Sequence, residues 1–253
     1  MSFCPSAALT ETSQASLAVA PGAKPAPCLF NFPALVPCSI LHGTQMASEV
    51  QSEPRAASAE LSAGVLSYEQ FLNWPGDNHH VEWVNGRIVV MSPVTKPHEI
   101  IRRFLYTLIN LFVEARHLGQ IYSEPFQMKT GPNLPGRAPD VFFVANENLS
   151  RVKRLNVEGP ADLVIEIISP GSRATDRGDK FYEYEQGGVP EYWLIDPDRQ
   201  QAEFYLRADD GIYRLGPLGN DGIYHSRVLA GLWLKVEWLW QPLPPPIMDV
   251  LRE

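Results

Sequence analysis

Cysteine is almost absent from this chain. Cys4, Cys28 and Cys38 are its three cysteines, and all lie near the N-terminus. The remainder therefore has no disulfide framework, zinc-thiolate site or thiol nucleophile, which fits a reducing cytoplasm. Long apolar runs are also missing. The stretch from Cys28 to Leu41 is broken by Asn31, Pro33 and Pro37 and is too short to span a bilayer. The first residues lack a charged start followed by an apolar core, so neither a secretory signal nor a membrane partner is expected. No GxGxxG or Walker loop is present. His98-Glu99-Ile100-Ile101-Arg102 starts like a zinc-protease helix but has Arg102 where the second histidine belongs, and Ser169-Pro170-Gly171-Ser172 is not a nucleophile elbow. A basic surplus is missing too: the net charge is −8. Up to residue 60, Lys24 and Arg55 face Glu11, Glu49, Glu53 and Glu60, which leaves −2 there and −6 on the rest. Such a balance argues against non-specific DNA binding, whose affinity comes largely from lysine and arginine neutralising phosphates. Local basic groups (Arg102-Arg103, Arg151 with Lys153-Arg154, Arg173 with Arg177) read as solvated faces.

Residues 1–60 are rich in Ala, Ser and Pro, show no sustained period, and are expected to be disordered. Met46 is an alternative start, the residues before it then being an extension. Residues 61–253 are expected to form one domain, and a chain that is 45% hydrophobic can fill its core. Ser67 with Gln70 predicts a capping box and a short helix to Leu72. Val81–Val84 and Arg87–Met91 flank Asn85-Gly86, a strong hairpin signal. The spacing of Ile101, Leu105, Leu108, Ile109, Phe112 and Val113 predicts a helix over 98–117, with Gly119 as its cap. Strands are expected near 120–129, 140–144, 162–168, 191–195, 201–206, 212–215 and 222–228, and a second helix over 174–186. This order gives an α/β (mixed α+β) fold: a mixed central sheet flanked by helices, with extra C-terminal strands. Trp233, Trp238, Leu239 and Trp240 fit either core or an interface.

The chemistry centres on Glu166, which interrupts the apolar run Leu163-Val164-Ile165-Glu166-Ile167-Ile168. A carboxylate buried there needs a metal ion, a cation or several hydrogen bonds. The alternative is an edge strand on which Glu166 reaches water. Asp140 opens a second apolar strand, Val141-Phe142-Phe143-Val144. Two acids on two core strands, with the Ile167 carbonyl as a third oxygen, could hold Mg²⁺ or Mn²⁺ against a phosphate. Asp176, Lys180 and Tyr184 recur at a helical spacing. Lys180 can then stabilise a phosphorane or simply form an exposed ion pair with Asp176. Glu82 could reach the metal through water or lie on a solvated face. His98 could touch phosphate or simply start its helix.

Several strings go further. Pro139-Asp140-Val141, Glu166-Ile167-Ile168-Ser169-Pro170, Asp176 to Lys180 with Tyr184, and Gly188-Val189-Pro190-Glu191-Tyr192-Trp193-Leu194-Ile195-Asp196 resemble the Uma2 family of the PD-(D/E)XK restriction-endonuclease-like superfamily. The similarity covers about residues 64–245, with Val81 to Met91, Ser92-Pro93 and His98 matching the opening segment. The resemblance implies a restriction-endonuclease-like core and metal-dependent phosphodiester hydrolysis of nucleic acid, in particular DNA. By this likeness Asp140 and Glu166 are the motif acids, and Glu82 is an early acidic position. Lys180 is a lysine moved to the next helix, since Ile168 stands where the superfamily places it. Tyr184 and His98 match family positions of accessory rank. The rival functional reading is a nucleic-acid-binding or regulatory module that kept the fold and lost turnover. Another is an accessory subunit or a homodimer whose copies each cut one strand.

Overall fold

The computed structural model describes residues 65–76 and 80–252. The expectations for residues 1–60, their cysteines and Met46 lie outside the described residues.

The first helix, α1 (Tyr68–Leu72), begins at the expected capping box: Ser67 Oγ accepts from Gln70 N at 3.1 Å, and Gln70 Oε1 accepts from Ser67 N at 2.8 Å. Strands β1 (Val81–Val84) and β2 (Arg87–Val90) form the hairpin. Asn85 and Gly86 both have positive φ, 50° and 82°, as the tight turn between them demands. Helix α2 (Lys96–Arg116) follows, capped by Thr95, with Pro97 in its first turn. It ends at Arg116, one residue before the expected end, and its cap is not Gly119: His117 takes the left-handed conformation at φ 53°. Gly119 instead opens β3 (Gly119–Tyr122), where a Cβ would stand 2.1 Å from the Val144 carbonyl oxygen. Close strand pairing requires that glycine; helix capping does not.

The span expected as one strand over 120–129 is two, β3 and β4 (Gln127–Lys129), which join different sheets. Then come β5 (Gly136–Arg137), β6 (Val141–Ala145), β7 (Asn156–Glu158) and β8 (Leu163–Ile167). The second expected helix is one stretch in three parts: α3 (Arg173–Thr175), a π-helical turn (Asp176–Lys180) and α4 (Phe181–Gly187). It stops at Gly188, whose φ is 86°. Strands β9 (Glu191–Asp196), β10 (Gln201–Arg207), β11 (Tyr213–Leu215), β12 (Ile223–His225) and β13 (Trp233–Lys235) lead to α5 (Ile247–Val250).

The fold is mixed α/β, but its strands form more than one sheet. One has the order β2-β1-β5-β4-β7, a larger one has β11-β10-β9-β8-β6-β3, and β12 pairs with β13. In the larger sheet β8 runs parallel to β9 and antiparallel to β6. β8 is therefore a central strand, which removes the exposed-edge alternative for Glu166.

Side-chain alternation gives the larger sheet two apolar faces. Phe143, Ile165, Ile167 and Trp193 pack with the α2 residues Ile101, Leu105 and Ile109. Phe142, Val164, Tyr192 and Leu194 pack with Tyr184 of α4 and with Met128 and Val157 of the smaller sheet. The tryptophan-rich segment is core. Trp238 and Leu239 are buried, and Trp233 and Trp240 pack partly buried against the same cluster.

Candidate active site

Glu166 shares the face of Val164, so it points between the larger sheet, β1 and the π-helical turn. It is 2% exposed. One oxygen accepts a 2.6 Å hydrogen bond from the Tyr184 hydroxyl. The other lies 3.1 Å from Lys180 Nζ. That ammonium also lies 3.2 Å from Glu82 Oε1 and 3.2 Å from Asp176 Oδ1. Lys180 is itself 2% exposed, so the surface ion-pair alternative with Asp176 does not hold.

Asp140 stands one residue beyond the Val141–Ile165 pair, which sets it beside Glu166 on the adjoining strand. Its Oδ2 accepts from Ile167 N at 2.7 Å, and its Oδ1 lies 3.1 Å from His98 Nε2. Glu82 sits opposite Val89 in the hairpin. Its Oε2 accepts from Arg137 Nη1 at 2.8 Å, and Ala138 N donates to its Oε1 at 3.4 Å. Arg137 also grips Glu183 with two hydrogen bonds of 2.7 Å.

The structure thus brings Asp140, Glu166, Ile167, Lys180, Glu82, Tyr184 and His98 to one cleft or its immediate wall. Asp140, Glu166, Ile167, Lys180, Glu82 and His98 line it, while Tyr184 lies behind Glu166. Sequence reasoning missed Arg137, Glu124 and His80. Arg137 lies three residues before Asp140 on a two-residue strand with no period to reveal it. Glu124 and His80 form a 3.1 Å pair in the lining of the same cleft.

Burial makes this cluster electrostatically tense. Glu82, Asp140, Glu166, Asp176 and Glu183 face Lys180, Arg137 and His98, so negative charge exceeds positive even with a protonated imidazole. The excess falls on Glu166. Complete burial pushes its carboxyl well above the usual range, and Asp176, Asp140 and Glu82 add to this despite the lysine. Lys180 stays charged: burial opposes it, but Glu166, Glu82 and Asp176 together raise its pKa well above normal. Burial raises Glu82 too, yet Lys180 and Arg137 win and hold it below the ordinary value. Burial disfavours the His98 cation, and the contact with Asp140 more than compensates. Dense ion clusters of this kind are weak contributors to stability, because desolvation roughly cancels attraction.

Among the described residues, no group of three or more His, Cys, Asp or Glu side chains converges to cage a metal. The point where Glu82, Glu166 and Asp176 meet is taken by the Lys180 ammonium. Asp140 and Glu166 line the cleft side by side, and each of their oxygens has a protein partner. No helix among the described residues is long and apolar enough to cross a membrane.

A mixed sheet flanked by helices, carrying paired acids and a buried lysine at one cleft, defines a nuclease-like architecture. The Uma2 family model, described as "putative restriction endonuclease", matches residues 68–237, and the chain belongs to that family. An uncharacterized protein of Synechocystis sp. is 26% identical over 148 residues, covering 58% of this chain and 76% of the other. A crystal structure from Anabaena variabilis, described as "a putative nuclease belonging to DUF820", shares the fold. Its TM-score is 0.56 at 21% identity, covering 68% of this chain and 96% of that one.

Proposed function

We propose that this protein is a metal-dependent endonuclease that hydrolyses phosphodiester bonds of nucleic acid, in particular DNA. The observation that carries the reading is the convergence of Lys180 on Glu166, beside Asp140, in an open cleft of a Uma2-family chain. The donor set fits a hard divalent cation. It offers two neighbouring carboxylates and a carbonyl, and it carries more negative charge than its own cations balance. Mg²⁺ or Mn²⁺ accepts such a set and keeps waters in its remaining positions. When bound, it would polarise the scissile phosphate and acidify an attacking water.

The chain's own residues take the following roles. Asp140 and Glu166 hold the cation. Their orientation is fixed by Ile167 N and His98 on one side and by the Tyr184 hydroxyl on the other. Lys180 directs its ammonium to the edge of Glu166, where it can steady the nucleophile and the extra negative charge of a five-coordinate phosphorus. Glu82, gripped by Arg137, positions Lys180. His98 holds Asp140 through Nε2 at 3.1 Å, while its Nδ1 is buried without a protein partner.

The test is cleavage of DNA and RNA with added Mg²⁺ or Mn²⁺, comparing the native protein with Asp140→Ala, Glu166→Ala and Lys180→Ala. All three should lose activity. Activity retained in all of them would defeat the assignment. The acidic lining favours one second reading, a module that binds nucleic acid without turnover. Binding without metal uptake or cleavage would support it.

A further inference from the structure

The cleft has an unusual chemical division. Its lining contains two lysine or arginine side chains, Arg137 and Lys180. Both are buried, and both are spent on carboxylates. None of the lining lysine or arginine side chains faces solvent. Opposing them are acids that do reach the opening, Glu124 and Asp179 among them. A duplex held in register makes many phosphate contacts, and each needs a cation or an amide donor. This lining supplies no such row.

What it does supply is an apolar wall. Val84 and Val89 lie on the Glu82 face of the hairpin, because alternate residues share a face and Val89 pairs with Glu82. Val94 follows from the loop to α2. All three line the cleft, and Val89 and Val94 are 40% and 38% exposed. Exposed β-branched residues on an edge strand are normally avoided, since they invite unwanted pairing. Here Val89 stands one strand spacing from Glu82. The cleft's volume is about 240 Å³, below the ~300 Å³ at which ordinary ligand pockets begin. That is room for a small planar group beside a phosphate.

We propose that this cleft takes an unpaired nucleic-acid strand, with one base packed flat on the Val84–Val89–Val94 wall and its phosphate turned toward Asp140 and Glu166. Apolar side chains commonly hold an extruded base in this way. The inference rests on the nuclease reading above and narrows its substrate to single strands.

The experiment uses the full chain and a fluorescent oligonucleotide of about 12 nucleotides, within the site sizes common for single-strand binders. It is presented alone or annealed to its complement. Binding is followed by anisotropy and cleavage by gel, both with Mn²⁺. A Val89→Ser/Val94→Ser variant is compared, with Mn²⁺ titration and melting temperature as checks on site and fold. The single strand should bind and be cut about tenfold better than the duplex, and the double variant should lose about that factor in binding, as a lost base contact does. Its Mn²⁺ affinity and melting temperature should be unchanged. Equal or better use of duplex overturns the inference and leaves the nuclease reading standing. Unchanged single-strand binding by the folded variant also overturns it. Single-strand binding with wall dependence but no cleavage supports the inference and breaks the nuclease reading instead. Absence of binding to either form overturns this proposal.

Discussion

Two glutamates on neighbouring parallel strands solve burial in opposite ways. Glu191, at the start of β9, is fully buried on the α2 face of the sheet. It accepts from Trp193 Nε1 at 2.7 Å, Tyr224 OH at 2.9 Å, Ser226 Oγ at 3.1 Å, Arg227 N at 2.9 Å and Val228 N at 2.8 Å. Every donor is neutral, and together they tie the segment after β12 to the central sheet. Glu166, at the far end of β8 and on the other face, has one neutral donor and a lysine shared with two further acids. It also borders an open cleft. A buried carboxylate is therefore no sign of chemistry in itself. A closed cage of neutral donors marks structure. A shared cation, surplus negative charge and an open side are what the proposed cation site rests on.

Substitutions separate the two. The largest effect should follow Glu166→Ala: cleavage falls by about 10²–10³-fold, the scale for removing one transition-state contact, with the fold retained by circular dichroism. Glu191→Ala should do the reverse. Activity per folded molecule survives, while unfolding free energy in urea drops by about 3 kcal/mol, because several buried donors lose their acceptor. Lys180→Met should cost about 3–5 kcal/mol, the penalty for leaving buried charges without a partner. Mn²⁺ should then raise its melting temperature by more than it raises that of the native protein.

A subtler contrast lies in pH dependence. Glu82 is held below its ordinary value of 4.5 in the fold, because Lys180 and Arg137 outweigh burial. Its contribution to stability is present above that pH and fades as pH falls through the lowered value. Glu166 is raised above 4.5. The fold binds its proton more tightly than the unfolded chain does, so stability declines as pH climbs from 4.5 toward the raised value. Glu82→Gln and Glu166→Gln should therefore remove slopes of opposite sign in urea titrations run against pH. The smallest effect is expected at the exposed Asp210–Arg214 pair, where Asp210→Asn should leave the melting temperature unchanged.

Much of this was legible in the chain. Asn85-Gly86 demanded a hairpin, and the α2 period named the residues that became its buried face. Glu166 in an apolar run announced a compensated charge. Lys180 was ambiguous because spacing reports which face a residue occupies but not what that face meets. Only the approach of β1 turned an i,i+4 pair into a buried hub. Strands β5, β7 and β13 were missed because two or three residues give no alternation to detect, and Arg137 was hidden with β5. Glu191 passed as one letter of a family string, since four of its five donors come from residues more than thirty positions later in the chain.

Titration calorimetry with Mn²⁺ tests the central claim most directly, applied to the native protein, Asp140→Asn, Glu166→Gln and Glu191→Gln. The account predicts one binding site in the native protein and in Glu191→Gln, abolished or severely weakened in the other two. Undiminished Mn²⁺ binding by Asp140→Asn and Glu166→Gln would contradict it.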